Sequence, residues 1–405
     1  MTSQSGLSGL AAASRNLDVI GNNIANANTV GMKSSRVEFS EVVAASLGAS
    51  GGSGGGGIGV SVPTVSQSFS QGNITITGNN LDVAINGNGF FQLKLPDGTT
   101  AYSRSGQFKL DSQGNMVSNT GGKVMGYQTT AAGVPTSVTA GPLQLPTSAP
   151  IAAKPTSSIT AEFNLDARAP IAATVAPPTP LSTYGTAFTA YDSQGVTLPV
   201  SLYFTKVTPA AAATDQWGVY DSLTGTSVGS LVFDATGKLT SGSPMTLTLT
   251  PPAPSTVPAF PVTVDLSKAT QYGANFSVAN LTQDGYPPGS LTSIKIGNDG
   301  IITTNYSNGQ SQAGGMLALA DFRNVQGLAQ VDGGNWVETF ASGQPVQGQP
   351  GQGKFGVTQS GALEDSNIDL TAELVNMMTA QRAYQASAQT IKTQDQVLQT
   401  LVNLR

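Results

Sequence analysis

The stretch DLTAELVNMMTAQRAYQASAQTIKTQDQVLQTLVN, residues 369–403, contains neither glycine nor proline over its 35 residues. Its apolar side chains recur at alternating steps of three and four residues, the spacing that places them along one narrow face of a helix. Ser366, Asn367 and Asp369 lie at its start and carry side chains that commonly cap a helix. The sequence therefore predicts a single helix of about 50 Å, which is longer than most helices of globular domains. Its apolar stripe consists of Leu370, Leu374, Met377, Tyr384, Ala388, Ile391, Leu398 and Val402.

A second stripe of the same spacing occupies the other end of the chain. It consists of Leu10, Ala13, Leu17, Ile20, Ile24 and Ala27. The stripe is too narrow to form a core by itself, so we expect the two terminal helices to pair as a coiled coil and then to pack against copies of the chain. Asn22, Asn23 and Asn26 flank it and suit polar contacts between subunits, while Gly31 is placed to cap the helix end. The alternative is a long helical hairpin inside one globular domain.

The middle of the chain has the pattern of β-structure. Short β-rich runs are joined by Asp-x-x-Gly or Asn-Asp-Gly turns, in which Asp accepts turn hydrogen bonds and Gly supplies a positive φ. We expect a hairpin at each of four such places: FKLDSQGNMVS (108–118), YDSQGVTLPVSLYF (191–204), LVFDATGKL (231–239) and SIKIGNDGIITT (293–304). The glycine-rich run 48–59 lacks the Lys-Ser/Thr pair of a phosphate-binding loop, so we interpret it as a linker.

The composition excludes several classes of function. The chain has 405 residues, no histidine and no cysteine, so thiolate or imidazole metal sites and the common nucleophile–base pairs are excluded. Charged residues make up 10% of the chain and the net charge is −5, which argues against a nucleic-acid partner. The sequence has no apolar run of membrane-spanning length and no cleavable secretory signal at its start. We expect no enzyme, no cofactor, no small-molecule ligand and no membrane insertion; paired carboxylates remain the one catalytic device that composition leaves open.

Four segments of the chain have recognisable patterns: SGLAAASRNLDVIGNNIANANTVGMKSS (8–35), LDVAINGNGFFQL (81–93), YSRSGQFKLDSQGNMV (102–117) and GALEDSNIDLTAELVNMMTAQRAYQASAQTIKTQDQVLQTLVNLR (361–405). They resemble a known family, the bacterial flagellar axial proteins of the rod and hook. The total length, the large middle insertion and the ending TIKTQDQVLQTLVNLR resemble the hook members of that family. Two positions depart from its pattern, because Ser3 and Met32 stand where aromatic residues are usual.

The resemblance implies a mainly β fold of antiparallel, sandwich-like or barrel-like domains nested in one another, with terminal helices in a coiled coil. Residues 1–70 and 366–405 would form the inner, helical part of a hollow tube. Residues 71–145 and 285–365 would form an inner β domain, and residues 146–284 an outer domain inserted into it.

The resemblance also implies a function. The chain would be a subunit of a flexible tube, the flagellar hook, that transmits torque from rod to filament. Its partners would be copies of itself, the rod and hook–filament junction proteins, the assembly cap and the type III export apparatus, with Phe39 and Val43 in an export element. The alternatives are a distal rod or junction component and, from another class, a secreted β-rich adhesin.

Overall fold

The computed structural model describes residues 2–43, 57–146, 150–172, 183–222 and 227–403. Within them the chain is mainly β-strand, with helix α1 (Thr2–Ala25) at one end and helix α2 (Leu370–Asn403) at the other. The predicted fold class, mainly β with helical ends, is confirmed. The chain divides into two compact units: unit 1 is Met1–Ser148, Ser293–Asn305 and Ser311–Arg405, and unit 2 is Ala149–Thr292 and Tyr306–Gln310.

The first part of the chain, up to residue 166, contains these strands: β1 (Ser35–Val43), β2 (Gly57–Gln67), β3 (Ile74–Ile76), β4 (Val83–Asn86), β5 (Phe90–Lys94), β6 (Thr100–Ser103), β7 (Phe108–Leu110), β8 (Met116–Ser118), β9 (Lys123–Tyr127), β10 (Gly141–Pro142) and β11 (Ser158–Asp166). The next part contains β12 (Thr183–Tyr191), β13 (Thr197–Val207), β14 (Thr214–Tyr220), β15 (Ser227–Asp234), β16 (Leu239–Ser241), β17 (Met245–Leu249), β18 (Phe260–Asp265), β19 (Thr270–Tyr272) and β20 (Ser277–Gln283). The last part contains β21 (Leu291–Ile296), β22 (Ile301–Tyr306), β23 (Ser311–Leu317), β24 (Leu319–Asp321), a 3-10 turn (Val325–Gly327), β25 (Ala329–Val331), β26 (Asn335–Val337), β27 (Val346–Gly348), β28 (Val357–Ser360) and β29 (Ala362–Glu364).

The main sheet of unit 1 joins strands from distant parts of the chain. Its central order is β23-β9-β5-β6-β26-β25, with antiparallel pairing. Two strand pairs then tie the beginning of the body to its end: β3 pairs with β29 and β4 with β28. On this sheet Phe90, Tyr102, Phe322 and Trp336 pack edge-to-face around a buried cluster. The β body of unit 1 is therefore closed by residues that lie near both ends of the sequence.

The four predicted hairpins are present. They are β7–β8, β12–β13, β15–β16 and β21–β22. In the first three, an aspartate at the turn accepts backbone N–H bonds from residues two and four positions later, as Asp111 does from Gln113 and Asn115. The turn residues thus determine the local structure as the sequence indicates.

Unit 2 contains two sheets around one core. One sheet has the antiparallel order β12-β13-β14-β15-β16, and the other has the order β17-β18-β11-β19, with β20 beside β11. Strand β11 runs parallel to β18 and β19, whereas the prediction named antiparallel pairing. Apolar side chains alternate along the strands, for example in β13, and their buried members fill the core around Trp217. Such alternation is typical of a β-sandwich.

An aspartate near the edge of unit 2 is held in its charged form. Asp284 accepts hydrogen bonds from the backbone N–H groups of Ser157 and Ser158 and from the Ser157 hydroxyl, and lies 3.0 Å from Lys154 Nζ. Burial by itself raises the pKa of Asp284, but these donors outweigh it and hold the pKa well below its ordinary value.

Candidate functional site: the paired terminal helices and the neck

Helices α1 and α2 pack against each other in an antiparallel arrangement. Gly6 faces Ile391, and a Cβ atom placed on Gly6 would lie 3.1 Å from Ile391 Cγ1. Gly9 faces Ser387, so the residue numbers along α2 decrease as those along α1 increase, as they do in an antiparallel pair. Residues without side chains let the two backbones approach closely. The predicted pairing of the chain ends is thus present within a single copy.

The face of α2 that meets α1 differs in part from the predicted stripe. Met377 and Ile391 lie on it, together with Tyr384 at its border, whereas Leu370 and Leu374 are exposed on a different face. Ala380 and Ser387 also lie on the contact face, and Ser387 faces Gly9 of α1. The side chains of Leu398 and Val402 lie outside the described residues. The partly or fully buried positions of α2 are Glu373, Met377, Ala380, Ser387, Ile391 and Gln394.

Helix α1 is packed on more than one side. Ile20 is buried, and Leu10, Leu17 and Ile24 are half-buried. Gly6, Ala12, Ala13 and Val19 are buried as well. Helix α1 contacts the hairpin β1–β2 in addition to α2.

The hairpin β1–β2 was not predicted, although its two strands have a weak alternating pattern. It is a two-stranded antiparallel sheet whose second strand touches α1, where the Val60 N–H donates to Ser8 Oγ at 3.3 Å. The predicted glycine linker lies mostly outside the described residues, and its last part, Gly57–Gly59, begins β2. Phe39, predicted as part of an export element, is half exposed on β1, and the side chain of Val43 lies outside the described residues.

Asn23 has a partner in its own chain, in contrast to the prediction of a contact between subunits. It is 1% exposed, and its side chain donates to Ser35 O at 2.7 Å and accepts from Ser35 N at 3.0 Å. A buried amide whose donor and acceptor are both used within the chain fixes the exit from α1. Asn22 is exposed and Asn26 half-buried, so these two remain accessible at the helix end.

Helix α1 ends at Ala25, earlier than predicted, and Gly31 does not cap it. The Asn26 N–H already bonds to Asn22 O, and residues after it form turns. Gly31 has φ +73° and donates its N–H to Glu364 O at 2.8 Å. A Cβ atom at Gly31 would lie 2.6 Å from the Arg104 carbonyl carbon, so this glycine is needed for a close approach to the β body. At the other end of the chain, Asp369 caps α2 as predicted, because its carboxylate accepts from Thr371 N and Ala372 N.

Three passages of the chain connect the terminal elements with the β body of unit 1, and they lie side by side. We call residues 31–34, 68–72 and 364–367 the neck. Asn367 joins all three passages: its Oδ1 accepts from Ser34 N at 2.7 Å, and its Nδ2 donates to Ser68 O at 2.7 Å and to Ser70 O at 3.1 Å.

A buried cluster of charges holds the neck to the body. Glu364 Oε1 lies 2.5 Å from Lys33 Nζ, and Glu364 Oε2 lies 2.9 Å from Arg104 Nη1. Lys33 and Glu364 have no exposed side-chain surface, and Arg104 has 5%. Burial lowers the pKa of Lys33, and the Glu364 carboxylate offsets part of that shift.

Other polar groups of this cluster bond to backbone groups of the neck and the body. Lys33 Nζ donates to Ser70 O at 2.7 Å, and Gly72 N donates to Glu364 Oε1 at 3.0 Å. Arg104 Nη2 donates to Gly87 O at 2.8 Å. One carboxylate therefore fastens all three passages at once. The charged cluster was not predicted from the sequence because Lys33, Arg104 and Glu364 are far apart along the chain.

The described residues contain no group of three or more acidic side chains arranged to hold a metal ion. Among the described helices, none combines the length and hydropathy of a membrane-spanning segment.

Comparison with known proteins identifies the family to which this architecture belongs. Models of four domain families match the chain: "Flagella basal body rod protein" at 4–33, "Flagellar hook protein FlgE/F/G D1 domain" at 84–160, "Flagellar basal body protein FlaE D2 domain" at 164–286 and "Flagellar basal body rod FlgEFG protein C-terminal" at 359–404. The flagellar hook protein FlgE of Salmonella typhimurium is 41% identical over 420 residues, which cover all of both chains. The chain belongs to the flagellar hook protein family.

Other members of the hook protein family are similar over nearly their whole length. FlgE of Escherichia coli K12 is 42% identical over 416 residues, covering 98% of each chain, and FlgE of Treponema pallidum is 32% identical over 460 residues, covering 99% of this chain and 98% of its own. The crystal structure of Helicobacter pylori flagellar hook protein FlgE2 has a TM-score of 0.54 at 14% identity and covers 72% of this chain and all of that one. At that identity the structural match supports the fold alone. The resemblance drawn from the sequence is confirmed.

Proposed function

We propose that this hook-family chain polymerises with copies of itself into a hollow, bendable tube that joins the flagellar rod to the filament. The observation that carries the proposal is a stripe of apolar side chains that stays exposed on α2 after α2 has paired with α1. Exposed apolar surface of this kind marks a protein–protein contact. It consists of Leu370, Leu374, Val375 and Met378.

In this proposal the terminal elements form the inner layer of the tube. Residues 1–70 and 366–405 would line the tube, residues 71–145 and 285–365 would form the next layer, and residues 146–284 the outer one. The stripe on α2, together with Leu10, Leu17, Ile20, Ile24, Met377, Tyr384, Ile391, Leu398 and Val402, would provide the helical contacts within and between copies. Asn22 and Asn26 would supply polar contacts between subunits.

The low charge of the chain fits a tube that bends as it turns. Subunits of such a tube slide past one another, and fixed ion pairs between them would hold one register. Serine, threonine, asparagine and glutamine exchange partners readily, often through water. The proposal assigns no catalytic, cofactor, small-molecule or nucleic-acid role and no membrane insertion to the chain.

Further partners follow from this place in the flagellum. They are the rod and junction proteins at the two ends, the cap during assembly, and the type III export apparatus, which would export the chain without a cleaved signal. Phe39, on the accessible surface of β1, remains a proposed export contact together with Val43.

Electron microscopy of cells that lack this chain tests the proposal. The deletion strain should show basal bodies that end at a bare rod, and a tagged copy should restore and decorate a short curved segment. A matched control is the same tagged chain without residues 370–405, which keeps the β body and should restore nothing. Filaments that persist in the deletion strain, or a tag that decorates the rod or the cell surface, would overturn it.

A further inference from the structure

The sequence contains three Asn-Gly pairs, at residues 86–87, 88–89 and 308–309. The peptide nitrogen of such a glycine can attack the amide carbon of the asparagine before it, because glycine has no side chain to hinder the approach. We propose that the fold makes one pair, Asn88-Gly89, a site of spontaneous deamidation and protects the other two. The inference goes beyond the proposed function, since it holds for a single copy of the chain.

The reaction needs water and no other reactant. A bond forms between Gly89 N and Asn88 Cγ, the bond between Asn88 Cγ and Nδ2 breaks, and ammonia leaves with the proton of Gly89 N. One water molecule then opens the resulting succinimide ring. Opening on one side gives aspartate, and opening on the other gives isoaspartate, in which the main chain runs through the side-chain carbon. Either product replaces a neutral amide by a carboxylate.

Both reacting groups of Asn88-Gly89 are without a hydrogen-bond partner in the part of the chain that the structure describes. The Asn88 side chain is exposed, whereas Gly89 is buried and its N–H donates to no described residue. An unpaired N–H that is shielded from water raises the free energy of the folded chain. Formation of the succinimide removes this N–H, so the reaction relieves the penalty.

The carbonyl group between the two residues favours the same reaction. Asn88 O accepts the N–H of Gly356 at 2.8 Å, beside the bridge between Asn88 and Phe355. When Gly89 N loses its proton, the negative charge is shared with this oxygen, and a hydrogen bond to the charged form stabilises it. The Gly356 N–H therefore makes the attacking nitrogen easier to deprotonate.

The pair at residues 86–87 lies close by in the sequence but is engaged by a neighbouring side chain. Gly87 N donates to Gln71 Oε1 at 3.0 Å, and Gln71 Nε2 donates to Asn86 Oδ1 at 3.4 Å. The attacking nitrogen and the amide are thus both held by one glutamine. Attack at Asn86 would have to break these bonds first.

The pair at residues 308–309 is held more firmly. Asn308 Nδ2 donates to Pro287 O at 2.7 Å, and Asn308 Oδ1 accepts from Gln310 N at 3.1 Å. Gly309 N donates to Tyr306 O at 3.0 Å within the turn. Both the leaving amide and the attacking nitrogen are engaged, so this pair is protected as well.

Peptide mapping of the purified chain tests the inference. The folded protein is kept in mildly alkaline buffer and digested with chymotrypsin, and mass spectrometry measures the acid formed at each site over time, with fragment ions that separate position 86 from position 88. Asn88 should lose its amide at least about fivefold faster than Asn86 or Asn308, because an ordinary hydrogen bond must break first at those two sites. Equal or slower loss at Asn88 would overturn the inference.

Two variants and one change of conditions isolate the cause. Gln71→Ala frees the Gly87 N–H and should raise the rate at Asn86 at least about twofold, while the rate at Asn88 stays the same. Asn88→Gln keeps an amide but requires a larger ring, so acid should no longer form at position 88. In urea that unfolds both units, the three sites should react at similar rates, since each is followed by glycine. An unchanged rate at Asn86 in Gln71→Ala, or a rate at Asn88 that stays the highest in urea, would contradict the role assigned to the fold.

Discussion

Replacing Glu364 by glutamine should destabilise unit 1 and leave unit 2 unchanged. Glutamine keeps the shape of the side chain but removes the negative charge that lies 2.5 Å from Lys33 and 2.9 Å from Arg104. With an effective dielectric constant near 20, each pair contributes an attraction of roughly 6 kcal/mol. Most of this attraction offsets the cost of removing the charges from water, so the expected net loss is about 3–5 kcal/mol, as for other buried pairs that lose one partner.

The two tryptophans of the chain allow this loss to be located. Trp336 lies in the core of unit 1 and Trp217 in the core of unit 2. In protein labelled with 5-fluorotryptophan, two fluorine resonances would report the urea unfolding of the two units without further mutation. The Trp336 transition should move to lower urea in Glu364→Gln, and the Trp217 transition should stay in place.

A double variant separates charge from packing. Lys33→Met with Glu364→Gln removes one of the two cations that the single variant leaves without a counter-charge, so it should recover part of the lost free energy of unfolding. A loss below about 1 kcal/mol in the single variant, or a double variant no more stable than the single one, would refute the reasoning.

Three further perturbations probe the helices, the neck and unit 2. Ile391→Asp should separate the terminal helices within one copy, lower the helix signal in circular dichroism and reduce the free energy of helix packing by about 3 kcal/mol. Leu374→Asp should leave that signal intact and abolish the tubes seen by electron microscopy. Equal loss of helix in both variants would contradict the assignment of the two faces. Gly31→Ala should destabilise unit 1 by more than about 2 kcal/mol, because φ is positive and the added Cβ meets backbone, and an unchanged Trp336 transition would show that the neck is looser than described. Because the folded-state pKa of Asp284 is lowered, its contribution to unit 2 is present above the ordinary carboxyl pKa and is lost as the pH falls below it; Asp284→Asn should therefore flatten the acid dependence of the Trp217 transition, and an unaltered dependence would exclude this role.

The helices and the hairpin turns could be predicted because their signals are local. The run after Asp369 has no residue that breaks a helix, and α2 begins and ends within a residue of the predicted bounds. The turns around Asp111, Asp192 and Asp234 depend on side chains that bond to backbone two and four residues later. In each case the deciding contacts lie within a few positions of one another.

The face of α2 that pairs inside the chain could not be predicted in the same way. Leu374 belongs to the predicted stripe and Glu373 does not, yet Leu374 is the exposed one. Gly6 and Gly9 of α1 face Ile391 and Ser387, so the pairing face of α2 includes one large apolar and one small polar side chain. Periodicity detects an apolar stripe but does not say which partner covers it.

The neck was invisible to sequence reasoning for a different reason. Lys33 and Glu364 are separated by 331 positions, and no spacing rule relates them. Asn23 shows the same limit at shorter range, since a row of asparagines reads alike whether its amides bond to another subunit or to Ser35 of the same chain.

The pairing of β3 with β29 has a consequence for the order in which the chain folds. Ile76 pairs with Ala362 although most of the sequence lies between them, so a large loop must close before that contact forms. In unit 2, Ile151 bridges to Gly289, and this contact shortens the open loop by about half once unit 2 has folded. Halving the loop lowers the entropic cost of its closure by only about 0.6 kcal/mol. It also means that β3 and β29 are each connected to the same folded body by a shorter stretch of chain. We therefore expect the inserted unit to fold first, so that the segment that most separates the chain ends becomes the one that brings them together.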